Sequence, residues 1–137
     1  MRGIVTIVLL VTIGVVLSGM GNMGGTPEGT VPNAPENFKV QLIDRAGVTT
    51  ELSRFSMEGK VFFEGELGEG TMSVSFLDIK EISFGAAGGN LVTADLLLDS
   101  GRRIQLKLHN VTMFYGVTGD GAYKISVRNI SRIVFLK

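Results

Sequence analysis

Residues 64–84, EGELGEGTMSVSFLDIKEISF, align without a gap on residues 115–135, YGVTGDGAYKISVRNISRIVF, at a constant shift of 51. Seven positions are identical: Gly65/Gly116, Gly68/Gly119, Gly70/Gly121, Ser75/Ser126, Ile79/Ile130, Ile82/Ile133 and Phe84/Phe135. Glycines and apolar anchors share one register, which marks a structural unit used twice. That register favours duplication over the chance convergence of two hairpins. Upstream the match continues loosely, Leu42-Ile43-Asp44 before Gly47 against Leu97-Leu98-Asp99 before Gly101, with a small length difference.

Apolar residues alternate on both sides of the aligned stretch. Phe38, Val40 and Leu42 share one face, as do Met72, Val74 and Phe76, then Ile104, Leu106 and Leu108, then Tyr123, Ile125 and Val127. A period of two is the signature of half-buried strands, and no segment sustains a helical period. Asp44-Arg45-Ala46-Gly47, Asp99-Ser100-Gly101, Gly68-Glu69-Gly70 and Gly119-Asp120-Gly121 separate the runs. Glycines at such places are expected to supply positive φ in hairpin turns. Each unit then reads as five short strands, with a tight turn before the fifth at Leu77-Asp78-Ile79 or Arg128-Asn129-Ile130.

The fold class is all-β. Five strands with that late turn resemble the SH3-like or Sm-like barrel, a likeness of topology that carries no function. Two such units packed together, over residues 38–84 and 91–137, are one arrangement. A single sandwich or barrel formed from both is the other. The connection, residues 85–90, is short, so the copies are expected to form one compact domain over 38–137. The doubled pattern F/Y-x-G, G-x-G, I-x-x-I-x-F also resembles small exported bacterial envelope proteins of unassigned function, a resemblance that implies neither activity nor ligand.

The N-terminus predicts export. Arg2 precedes the uncharged apolar run Gly3–Met20, followed by small residues. Such a run partitions into the membrane while the cation holds its start on the cytoplasmic side. Residues 1–20 are therefore a signal peptide or an uncleaved anchor, an apolar helix outside the β domain. Leu17-Ser18-Gly19 is similar to a bacterial lipobox, but Met20 stands where the lipid-bearing cysteine is needed. Residues 21–37, rich in Gly, Pro, Asn and Thr, read as a flexible linker.

The chemical inventory is sparse. There is no cysteine and one histidine, so neither a disulfide framework nor a zinc site is expected. His109 lies on a polar strand face, and nothing selects a serine or an acid to complete a triad with it. Glu64, Glu66 and Glu69 lack the spacing of a calcium loop. Gly85–Asn90 leads into a strand-like run and not into the helix that a phosphate loop requires. No cofactor is called for, and the reading is of a protein that is not an enzyme.

The net charge of zero hides an asymmetry. Residues 38–84 hold five Lys/Arg against eight Asp/Glu, and residues 85–137 hold seven against three, so the copies carry −3 and +4. Arg102, Arg103, Lys107, Arg128 and Arg132 on one copy, and Glu64, Glu66 and Glu69 on the other, form a candidate interaction surface. Opposite charges of this kind would attract within one chain or head to tail between chains. The expected function is an exported, periplasmic or envelope β module that binds another envelope protein or associates with itself. Nucleic acid is not expected, and membrane contact runs only through residues 3–20 if they are retained. The alternative is a periplasmic protein binding a small ligand or ion in a cleft between the copies, lined by Phe62, Phe63, Phe114 and Tyr115.

Overall fold

The computed structural model describes residue 32, residues 34–86 and residues 88–137. The signal or anchor, and the linker as far as Val31, lie outside the described residues. The remainder is all-β, with ten strands: β1 Lys39–Asp44, β2 Thr49–Met57, β3 Phe62–Leu67, β4 Gly70–Ser75, β5 Ile79–Phe84, β6 Leu91–Leu98, β7 Arg103–His109, β8 Met113–Val117, β9 Ala122–Ser126 and β10 Ile130–Leu136. Single 3-10 turns, Phe76–Asp78 and Val127–Asn129, precede β5 and β10, where the sequence predicts tight turns.

The strands form one antiparallel sheet in the order β4-β3-β7-β6-β5-β10-β1-β2-β8-β9, curled into a half-barrel. Exchanging each strand of residues 38–84 for its counterpart in 91–137 reverses this order onto itself. The fold therefore has a pseudo-two-fold axis. Equivalent residues meet on it: Ile82 is the register partner of Ile133, and the Phe63 and Phe114 rings stack 6.3 Å apart. Of the two arrangements open from the sequence, the single sheet built from both copies is the one observed.

The copies interlock. Strand β3 pairs with β7 and not with β2, and β8 pairs with β2 and not with β7. Each copy thus lends its hairpin, β3–β4 or β8–β9, to the other. The five-strand sets that result are β3–β7, contiguous in sequence, and β1, β2 with β8–β10. The boundaries read from the repeat, 38–84 and 91–137, delimit sequence units but not these sets.

Two glycines make the exchange sterically feasible. A Cβ on Gly65 would lie 2.9 Å from Leu106 Cβ, and a Cβ on Gly116 would lie 2.9 Å from Leu52 Cβ. Both are identities of the repeat, and both sit where a hairpin of one copy crosses a strand of the other. Glycine inside a strand is otherwise unfavourable, and close backbone approach is the usual reason for it.

One continuous apolar cluster fills the curl. Phe55 stacks on Phe76 and on Phe114 at 5.6 Å, and Phe135 contacts both Phe55 and Phe76. Burying one such side chain contributes about 1.5–3 kcal/mol, whereas an exposed ion pair contributes about 0–1 kcal/mol. The aromatic core, and not the opposite charge of the copies, therefore holds them together.

The turns follow the predicted chemistry with one exception. Asp44 Oδ1 accepts from the N–H of Ala46 at 2.8 Å and of Val48 at 3.0 Å, with Gly47 at φ +86°. Gly68 and Gly101 are also left-handed. Gly119 and Gly121 are not: there Thr118 Oγ1 accepts from the N–H of Asp120 and Gly121 at 3.1 Å, so a hydroxyl shapes that turn. The end of the predicted linker belongs to the domain, since Ala34 is buried and Asn37 Oδ1 accepts from the Arg54 N–H at 2.8 Å.

Candidate functional site

The charged residues singled out in the sequence converge in part: Glu64, Glu66 and Lys107 line one open pocket of about 220 Å³ with Lys60 and His109, and Arg102, Arg103, Arg128, Arg132 and Glu69 lie outside it. Arg103 pairs with Asp95 at 3.2 Å and Arg132 with Glu81 at 3.4 Å. Lys107 is the register partner of Glu66, whose carboxylate lies 3.7 Å from His109 Nε2. Glu64 holds Lys60 at 2.9 Å, and that ammonium keeps the Glu64 carboxyl below its usual range. Glu69 and Arg128 are exposed in turns. Acidic residues of the first copy thus meet residues of the second inside one chain at two places, Glu66 with His109 and Glu81 with Arg132. Phe63 and Phe114, offered as cleft liners, are fully buried, so the space between the copies at these rings is core.

A different feature stands out at the ends of the sheet. The outermost strands, β4 and β9, each have one paired neighbour. Leu67 and Gly70 close the β3–β4 hairpin, and the Phe76 N–H reaches the Val61 carbonyl at 3.1 Å. Antiparallel ladders alternate, so Gly70, Met72 and Val74 bond inward to β3. The N–H and C=O of Thr71, Ser73 and Ser75 consequently point to the free edge.

An open groove of about 370 Å³ runs along that edge. Four successive residues, Met72–Ser75, line one wall, as expected of a space beside a strand and not above one face. The β6–β7 turn supplies the opposite wall with Leu98, Asp99, Arg102 and Ile104. Asp99 is locked in place: its N–H reaches the Asp78 carbonyl at 2.9 Å and its carboxylate holds Lys137 at 3.0 Å. Of the residues proposed from sequence, only Arg102 lines this groove. Leu67 and Leu77, 52 % and 60 % exposed, flank the two ends of β4.

This edge combines unpaired backbone, an apolar floor and a rigid far wall. Such an arrangement suits an extended peptide chain, which would add its own backbone hydrogen bonds and insert alternate side chains. Among the described residues no group of three or more His, Cys, Asp or Glu is placed to hold a metal ion.

A family model described as an uncharacterised protein matches residues 34–137. The chain belongs to that family. No curated protein and no solved structure gives a match. The family span opens at Ala34, the first described residue buried in the domain, and takes in both hairpins, both crossings and the β4 groove.

The sequence reading missed this edge because alternation assigns faces to a strand and not neighbours. A signal was nonetheless present. Residues 70–75, GTMSVS, contain no charge and no proline, the devices by which exposed edges are usually blunted.

Proposed function

We propose that this chain is an exported, non-enzymatic module of the cell envelope that binds protein partners by strand addition along β4. The observation that carries the reading is the groove beside Thr71, Ser73 and Ser75, where backbone donors and acceptors face open space. Export rests on the apolar run Gly3–Met20 behind Arg2 and on the small residues that follow it. The small-ligand alternative loses two of its expected liners, because Phe63 and Phe114 are buried and stack on each other; a smaller pocket of about 220 Å³ between the copies, at Glu64, Glu66, Lys107 and His109, is the space left to it.

Binding is tested on the full chain in mild detergent with a fluorescent eight-residue peptide of alternating threonine and valine. Saturable anisotropy is expected. Ser73→Pro, which deletes an outward N–H while sparing the β3 ladder, should weaken binding at least tenfold. No saturation, or equal binding by the variant, refutes strand addition at β4. Export is tested by the intact mass and fractionation of the native chain. Recovery of the unprocessed chain in the cytoplasmic fraction refutes it.

A further inference from the structure

We propose that the partner is a second copy of this chain, joined antiparallel through β4 about a two-fold axis at Ser73. The inference rests on the reading of β4 as the binding edge and adds the occupant. A two-fold axis at Ser73 pairs Thr71 of each copy with Ser75 of the other, and Ser73 with itself. These are the residues whose backbone groups face outward, so each pair exchanges both of its hydrogen bonds.

The side chains agree with that register on both faces. The outer face carries only small hydroxyl side chains, at Thr71, Ser73 and Ser75. On the core side, Met72 of each copy comes opposite Val74 of the other and adds to the apolar lining that Leu98 and Ile104 give the groove. At each end the Leu67 end of one β4 meets the Leu77 end of the other. Two leucines left exposed in one chain are thereby brought together in the pair.

Self-pairing places each residue opposite its own kind or a near neighbour, so any charge on the strand opposes itself. Strand β4 carries none. The other edge, β9, has Lys124 at the position equivalent to Ser73, and a β9–β9 pair would set lysine against lysine. One edge is thus suited to symmetric pairing and the other is guarded, which yields a closed dimer and not an open fibre.

Sedimentation equilibrium of the full chain in density-matched detergent tests the proposal. The expected result is a monomer–dimer equilibrium whose dissociation constant rises at least tenfold in Ser73→Lys, with the melting temperature of the domain retained. The chain has no cysteine, so a single introduced thiol reports the axis cleanly. Paired Cα atoms about 5.5 Å apart lie within reach of a disulfide. Ser73→Cys should therefore form a covalent dimer at least tenfold faster than Lys124→Cys. Monomer at every concentration, or equal cross-linking at the two positions, overturns the inference. If peptide binding at β4 persists in that case, the binding edge stands and only the homotypic occupant falls. If peptide binding also fails, both fall.

Discussion

Strands β4 and β9 occupy the same place in the two copies and have opposite characters. Each is the outer strand of an exchanged hairpin, laid across the other copy at a glycine, and each runs into a 3-10 turn whose final carbonyl accepts a backbone N–H at 2.9 Å. Beside β4 the equivalent space is a groove. Beside β9, Tyr123 replaces Met72 and is partly buried, and burial and the Asp44 carboxylate raise its phenol. Lys124 replaces Ser73. The backbone thus creates two sticky edges by symmetry, and two substitutions in one copy blunt one of them. The two copies share the backbone arrangement, and on the proposed reading of β4 as the binding edge the differences at these positions set which edge binds.

The comparison depends on both hairpins being seated alike, and the largest effects are expected where that seating is disturbed. An alanine at Gly65 or Gly116 drives a methyl into a leucine Cβ at 2.9 Å, an atom that cannot swing aside. Such overpacking costs about 1–3 kcal/mol, or a fall of several degrees in melting temperature for a domain of about this size. Gly116→Ala is expected to be the worse. Strand β8 is fixed to β2 by three register pairs, Ser53↔Val117, Ser56↔Tyr115 and Met57↔Phe114, whereas β3 meets β7 at Glu66↔Lys107 alone and can yield. Thermal unfolding by circular dichroism measures both. A Gly65→Ala protein as stable as the parent would mean that the first crossing is looser than its geometry.

Those glycines also mark the limit of what was legible in the sequence. The repeat, the ten strand runs and the 3-10 turns follow from period two and from the shared register of glycine and isoleucine. The exchange of hairpins does not, because period two fixes which way Phe63 and Phe114 face but leaves open which strand lies beside them. Consecutive strands are the usual neighbours, and here that prior fails at β2/β3 and β7/β8. Gly65 and Gly116, each in the middle of a strand run, were the local evidence against it. The site was less legible still. The Ser73/Lys124 and Met72/Tyr123 differences are visible in the alignment, yet they acquire meaning only once both strands are known to be edges. Charge was the more conspicuous difference between the copies, and it joins them only at the surface, through Glu81 with Arg132 and Glu66 with His109.

A smaller contrast separates the two hairpin tips. Gly68 sits at φ +62°, where a side chain is strained, while Gly119 is not left-handed and has open space where its Cβ would stand. Gly68→Ala should therefore cost about 1 kcal/mol. Gly119→Ala should be neutral or slightly stabilising, since it restricts the unfolded chain without straining the native one. Urea denaturation of both variants resolves the difference. Equal losses would mean that the Thr118 hydroxyl does not define the second turn.

The smallest expected effects are titrations, and they run in opposite directions in the two hairpins. Burial raises the Tyr123 phenol above its ordinary value of 10.0; the Asp44 carboxylate adds to the rise and the hydrogen bond with Thr50 offsets part of it. A raised acid favours the folded state while protonated, so its contribution is complete below pH 10 and is lost as pH climbs through the folded value. Glu64 behaves in the reverse sense: hydrogen bonding and attraction from Lys60 lower it from 4.5. Its contribution is present above pH 4.5 and disappears as pH falls through the lowered value. The second hairpin should thus account for part of the alkaline loss of stability, and the first for part of the acid loss. Tyr123→Phe keeps the ring in place and should flatten the alkaline limb of melting temperature against pH while leaving the acid limb intact. Glu64→Gln should do the converse, with a shift close to the limit of detection because the pair is solvent-exposed and screened by salt. If Tyr123→Phe left the alkaline limb unchanged, the phenol would not be desolvated in the fold, and the contrast between the two edges would rest on Lys124 alone.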